Sequence, residues 1–280
     1  MNNILYIITN FIILPLAFIF LSFFKKDKIK YLIIGLLLLS LHSFVNLILY
    51  INIDIEKSFD SAITNFILAF LFLYITSKIS NDKSKFSSYN YMRKVILYGF
   101  GIYYLFEHIP LLRGIVILII SCFSVIFARV MGFNCGISGI DYAGYSLFWQ
   151  EKLNIVGGNI MEVNVPISST NIGIVLGCTG LREILLLYFF IKLTDVDYKL
   201  QRKTFLIGAF TLLIANILRN TIVIYYTGYK NLPFEFTHHT IGSILIFIAL
   251  LFVVIYTLFK IPQINSYIEE IFGLKKIKEI

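Results

Sequence analysis

Residues 204–226 read TFLIGAFTLLIANILRNTIVIYY, an apolar run interrupted by one charge, Arg219. The hydrocarbon core of a bilayer is crossed by ~20 helical residues, so this stretch alone predicts a membrane-spanning helix. Seven further apolar runs, at about 4–24, 31–51, 62–79, 95–109, 111–132, 172–191 and 240–259, approach or reach the same length. Composition agrees: 58% of the 280 residues are hydrophobic and mean hydropathy is +0.84. Only 14% are charged, against about 25% in soluble domains. Backbone polar groups in lipid must be satisfied within the segment, which favours helices. The expected fold is an all-α polytopic membrane bundle. No internal repeat and no Gly/Ser linker divides the chain, so a single domain 1–280 is expected, comprising N-terminal spans 1–108, a core 109–260 and a tail 261–280. The first run is expected to be a span rather than a secretory signal, because Met1-Asn2-Asn3 offers no basic region before it.

Basic loops orient the bundle. KKDKIK (25–30), KSKFSSYNYMRK (83–94) and KLTDVDYKLQRK (192–203) are the clusters that the positive-inside rule assigns to the cytoplasm. The acidic loop 52–60, the segment 133–171 and the loop 227–239 then face outward. Parity requires that one of the runs 95–109 and 111–132 not cross. The favoured assignment has seven transmembrane spans plus one re-entrant or interfacial helix at 111–131, which carries Arg113 and Arg129. Within 133–171, Gly-rich turns between β-branched stretches predict short strands or an extended lid. The tail places Ile264, Ile268, Ile271 and Ile277 near helical spacing among basic residues, a pattern expected of a helix lying on the inner membrane surface.

The formal charge of +8 resides mainly in short loops, where it sets topology, so nucleic acid is not an expected partner. Cys122, Cys135 and Cys178 are too few and too scattered for a zinc site or a disulfide framework. A single Cys135–Cys178 pairing stays open, and it would silence a nucleophile.

Three residue types gather at one expected depth. Cys178 lies in GCTG, a glycine-flanked turn into a helix, where free N–H groups favour a thiolate; its alternative reading is a small packing residue. Arg219 stands inside its span, about 10 Å from the outer end. An arginine at such a depth costs on the order of 2.5–3.5 kcal/mol and usually faces a bundle interior; the alternative is snorkelling, with Asn216 and Asn220 as solvating neighbours. His238 and His239 open the last span, where a solvated cap is the alternative. A thiolate nucleophile, an imidazole that holds a proton and a guanidinium that steadies an oxyanion together describe a cysteine acyl-transfer centre. Glu183 lies four residues after Thr179 on one helical face, placed to balance Arg219, to orient a histidine, or to pair with a neighbouring helix.

GCTGLRE (177–183), NILRN (216–220) and HHTIG (238–242), in order at the outer ends of successive spans, resemble the exosortase/archaeosortase family of membrane cysteine transpeptidases. The resemblance covers about 110–255. It implies catalytic Cys178, Arg219 and His238, with Asn216, Thr179, Arg182, Glu183 and His239 as supporting or alternative residues; His238 has the H-x-x-x-G spacing to Gly242, whereas His239 is nearer to it. It further implies that the substrates are secreted proteins with a C-terminal tripartite sorting signal, cut on the extracytoplasmic face of the cell membrane and passed through a thioester to an amine, that of a membrane lipid. No metal or cofactor is implied. The rival expectations are a transporter in which Arg219 and Glu183 bind substrate, and a lipid-linked glycan or acyl transferase with a histidine base; in both, Cys178 is structural.

Overall fold

The computed structural model describes residues 8–23, 29–53, 66–77, 86–138, 152–157, 172–230, 232–234 and 236–272. In chain order the helices are α1 (Leu14–Ser22, entered through a π-helical turn Thr9–Ile13), α2 (Ile29–Ile53), α3 (Phe66–Ser77), α4 (Phe86–His108) and α5 (Pro110–Val130). Strands β1 (Cys135–Ser138), β2 (Lys152–Gly157) and β3 (Ile172–Val175) follow, and a 3-10 turn, Leu176–Cys178, leads to α6 (Leu181–Lys192). The chain continues through α7 (Tyr198–Val223), α8 (Ser243–Lys260) and α9 (Pro262–Phe272). The protein is thus a mostly helical, membrane-type bundle. Four described helical stretches are long and apolar enough to cross a bilayer: Ile29–Ile48, Pro110–Val130, Tyr198–Gly228 and Phe236–Lys260. Two apolar helices, Phe11–Ser22 and Phe66–Ser77, are shorter.

The chain divides into two compact units, Met1–Tyr98 with Pro262–Ile280, and Gly99–Ile261. In the first, α1 packs on α2, where Gly35 admits the Leu21 side chain; a Cβ there would stand 2.7 Å from Leu21 Cγ. Ser40 Oγ donates to Ala69 O at 3.0 Å, tying α2 to α3. The 83–94 stretch expected as a loop is helical from Phe86, and Arg93 is buried, donating to Leu21 O at 2.6 Å and Asn90 Oδ1 at 2.9 Å. Its charge is spent on internal partners, as buried guanidinium groups require. The apolar face of α9 is covered by protein: Ile264 and Ile271 are buried, Tyr267 stacks on Tyr91 at 4.4 Å, Phe272 stacks on Tyr74 at 5.9 Å, and Ser88 Oγ donates to Glu270. The helical spacing of the tail was therefore legible, but its partner is the N-terminal helices. Ile277 lies outside the described residues.

In the second unit α7 is the central helix, packed against α5, α6 and α8. Gly208 makes the crossing close, since a Cβ there would lie 2.6 Å from Leu187 Cδ2 and 3.1 Å from Val253 Cγ1; small residues permit such approach between membrane helices. The run 111–131, expected as a re-entrant element, forms one unbroken helix of spanning length, α5. The run 172–191, expected as one span, is divided. Its β-branched start pairs as β3 in the antiparallel order β1-β2-β3, with Cys135 opposite Gly157 and Lys152 opposite Val175. Only twelve residues remain for α6, about 18 Å of helix, well short of the ~30 Å hydrocarbon core. The expected strands in 133–171 are present at β1 and β2, while 139–151 and 158–171 lie outside the described residues.

Candidate active site

The sheet delivers the candidate nucleophile. Ile172, Ile174 and Leu176 are buried with Ile117, Val125 and Ala128 of α5, with Val223 of α7 and with Ile224 of the π-helical turn that follows it. Cys178 and Leu181 pack against this core, which fixes the strand end from which the cysteine turn departs. Thr179 shapes that turn. Its N–H and hydroxyl both donate to Leu176 O, at 3.0 and 2.7 Å, and its Oγ1 accepts from Leu181 N at 3.3 Å. Gly180 then adopts φ +74°, a left-handed conformation that costs other residues roughly 1–2 kcal/mol. A side chain at Gly180 would also meet Asn216, its Cβ falling 2.8 Å from Asn216 Cγ. Asn216 is buried beneath the turn and donates to Leu212 O at 2.9 Å.

One helical turn further along α7, Asn220 Nδ2 donates to the carbonyl of Cys178 at 2.9 Å. Asn216, Arg219 and Asn220 share one stripe of α7 by their i, i+3, i+4 spacing. Arg219 is thus the immediate chain neighbour of the side chain that anchors the cysteine. Its Nη2 lies 2.9 Å from His238 Nε2. Among the described residues Arg219 Nε is buried without a hydrogen-bond partner. Room for this guanidinium comes from Gly242, where a Cβ would stand 3.1 Å from Arg219 Cγ and 3.2 Å from its Nε.

His238 and His239 are carried by a π-helical segment, Phe236–Gly242, that opens α8. The two rings meet edge to face with centroids 4.6 Å apart, and Phe234 stacks on His238 at 4.9 Å and 21°. Of the two histidines, His238 is the one joined to Arg219. A guanidinium only donates, so in this pair Nε2 of His238 accepts and the neutral ring carries its proton on Nδ1.

Glu183 reaches neither Arg219 nor a histidine. Its Oε1 receives Arg182 Nε at 3.0 Å and Nη2 at 2.8 Å, an ion pair within the first turn of α6. Tyr103 and Glu107, one turn apart on α4, lie within electrostatic reach of Arg182. Nothing in the apolar pattern of 95–109 had marked them. The three cysteines are free thiols, so the Cys135–Cys178 pairing is not formed. Cys135 is buried in β1, and Arg129 Nε donates to its carbonyl at 2.6 Å. Burial pushes the Cys135 thiol up, with the nearby Arg129 charge opposing the shift. No group of three or more His, Cys, Asp or Glu side chains with metal-binding placement occurs among the described residues.

Comparison with protein-family models, curated proteins and solved structures yields no match for this chain.

Proposed function

We propose that this chain is a membrane cysteine transpeptidase of the exosortase/archaeosortase kind, acting on secreted proteins with a C-terminal sorting signal. The observation that carries the reading is the Arg219–His238 pair, whose arginine shares a stripe of α7 with the Asn220 that holds the Cys178 carbonyl. The Cys178 backbone is thereby tied to the helix that carries Arg219, and Arg219 to His238, and a partly buried arginine in a membrane bundle is costly enough to mark a functional position.

In the proposed reaction Cys178 loses its thiol proton to His238 and its sulfur attacks the scissile carbonyl. Protonation of Nε2 removes the acceptor that Arg219 uses and makes the ring cationic, so the guanidinium is released to the developing oxyanion. The tetrahedral adduct collapses with cleavage of its C–N bond, and the leaving amine takes the proton from His238. The resulting thioester is attacked by an incoming amine, whose proton passes to His238 as the Cys178 thiolate departs. A lipid amine is the proposed acceptor.

An outward-facing site belongs to the same proposal. Arg219 lies ~32 Å along α7 from Tyr198, about one hydrocarbon-core thickness from the basic loop 192–203. With that loop in the cytoplasm, Arg219 reaches the outer boundary of the membrane. A substrate helix inserted with its N-terminus outward would present its cleavage motif at that depth.

The test is co-expression of a tagged secreted protein bearing such a segment with the wild type or Cys178→Ala. Loss of the segment only with the wild type is expected, and the mass of the new C-terminus separates transfer from hydrolysis. Equal processing in both strains would sink the reading and favour a transporter or a histidine-base transferase.

A further inference from the structure

We infer that Thr237, joined to Thr227, is a positioning residue that holds His238 in register with Arg219. The inference rests on the catalytic reading of His238 for its meaning, though its test does not need catalysis.

π-Helical turns are rare and concentrate at functional sites, and two of them flank the α7–α8 connection, at Ile224–Tyr229 and Phe236–Gly242. A π-turn widens the helix and shifts the direction of every later side chain, so the bearing of His238 depends on what keeps the second turn wound. Thr237 is completely buried and Thr227 nearly so. Their Oγ1 atoms lie 2.6 Å apart, and Thr237 Oγ1 is 3.0 Å from Phe234 O and 3.3 Å from Pro233 O. Each hydroxyl has one proton, which resolves the direction of the chain: Thr227 donates to Thr237, and Thr237 donates onward to Phe234 O. Hydroxyl chains of this kind reinforce one another in a low-dielectric interior.

The two ends of this chain bracket the histidine. Thr237 is its backbone neighbour, and Phe234, whose carbonyl is held, lays its ring against the imidazole. Thr227 sits two turns beyond Arg219 on the continuation of α7. The hydroxyl pair therefore connects the element carrying the guanidinium to the element carrying the imidazole, independently of the 2.9 Å bond between those groups. Gly242 completes the arrangement, since a Cβ there would press on Arg219 and on Thr237 O at 3.3 Å.

The test is carbethoxylation of the full-length protein in detergent by diethyl pyrocarbonate at a fixed pH, with the modification of each histidine followed by mass spectrometry. The reagent attacks unprotonated imidazole nitrogen, so it reports whether His238 Nε2 is occupied by Arg219; Arg219→Gln supplies the rate of an unheld ring. Thr237→Val, which keeps the shape and deletes the hydroxyl, is expected to raise His238 modification about fivefold, the effect of one net hydrogen bond. His42 and His108 should stay at wild-type rates, and Thr237→Ser should restore protection of His238. Should Thr237→Val fail to accumulate, Thr227→Val breaks the same bond from the other side and carries the same expectation. A wild-type His238 rate in the valine variant overturns the inference. So does a uniform rise over all histidines that serine does not reverse, since that is general loosening. Because carbethoxylation needs no substrate, a positive result stands even if Cys178→Ala proves indifferent to processing, in which case only the transpeptidase reading falls.

Discussion

Arg219 Nη2 and His238 Nε2 stand 2.9 Å apart, so the guanidinium occupies the ring nitrogen that a proton would take. The pair is thus a neutral acceptor matched to a fixed donor, and its two members respond differently to substitution. Arg219→Lys keeps the charge but loses the planar fork. Processing of a co-expressed substrate is expected to fall by about 10²–10³, the cost of removing an oxyanion donor. His238→Gln retains an acceptor for Arg219 and should accumulate at wild-type levels while processing stops. A His238→Gln protein that still processes would transfer the acid–base role to His239.

Asn220→Leu removes the side chain that holds the Cys178 carbonyl. The turn should loosen by about 1 kcal/mol, and Cys178 alkylation by iodoacetamide should change about fivefold as a result. Buried Cys135 is the internal reference, because its reactivity depends on the core beneath β1 rather than on Asn220. Quantitative mass spectrometry of the two cysteine peptides reads both. An unchanged ratio would show that Thr179 alone sets the turn.

Gly180→Ala meets two separate penalties, a positive φ and a collision with Asn216. Together they are expected to cost about 2–4 kcal/mol, seen as a lowered Tm in detergent. Adding Asn216→Ser should recover the steric part and leave the conformational part. Full recovery in the double variant would mean that the left-handed geometry costs little at this position.

The Cys135 thiol is expected to shape the alkaline limb of stability. Burial raises its folded-state pKa above the ordinary 9.0. The folded state then holds this proton more tightly than the unfolded state, a stabilisation fully present below pH 9 and lost as pH rises through the folded value. Cys135→Ala should accordingly lower Tm less at pH 10 than at pH 7, relative to the wild type measured alongside. An equal loss at both would show that the thiol contributes only its packing.

What the chain announces in its sequence is whatever lacks a bland alternative. Arg219, the one charge within 204–226, marked its own position, and the glycines around Cys178 marked a turn. The run 172–191 reads as one span because Ile172, Ile174 and Val175 suit a helix as well as a buried strand, and only pairing with β2 decides between them. Glu183 had an acceptable partner on either side, and proximity to Arg182 in space rather than on the helical wheel settled it. The choice between His238 and His239 was beyond spacing rules, since the π-turn alters the angle per residue on which such rules depend. Similarly, the amphipathic pattern of α9 states that one face must be covered, but not by what.

That last helix gives the chain a schedule. Ser88 and Tyr91 emerge early and find Glu270 and Tyr267 only after the whole of Gly99–Ile261 has been made. At ~5–20 residues per second, that interval is roughly 8–30 s of synthesis. Through that time the seam that α9 fills has no occupant, so the first unit to be made is the last to be finished. The order of synthesis, as much as the final contacts, therefore sets when the first unit becomes complete.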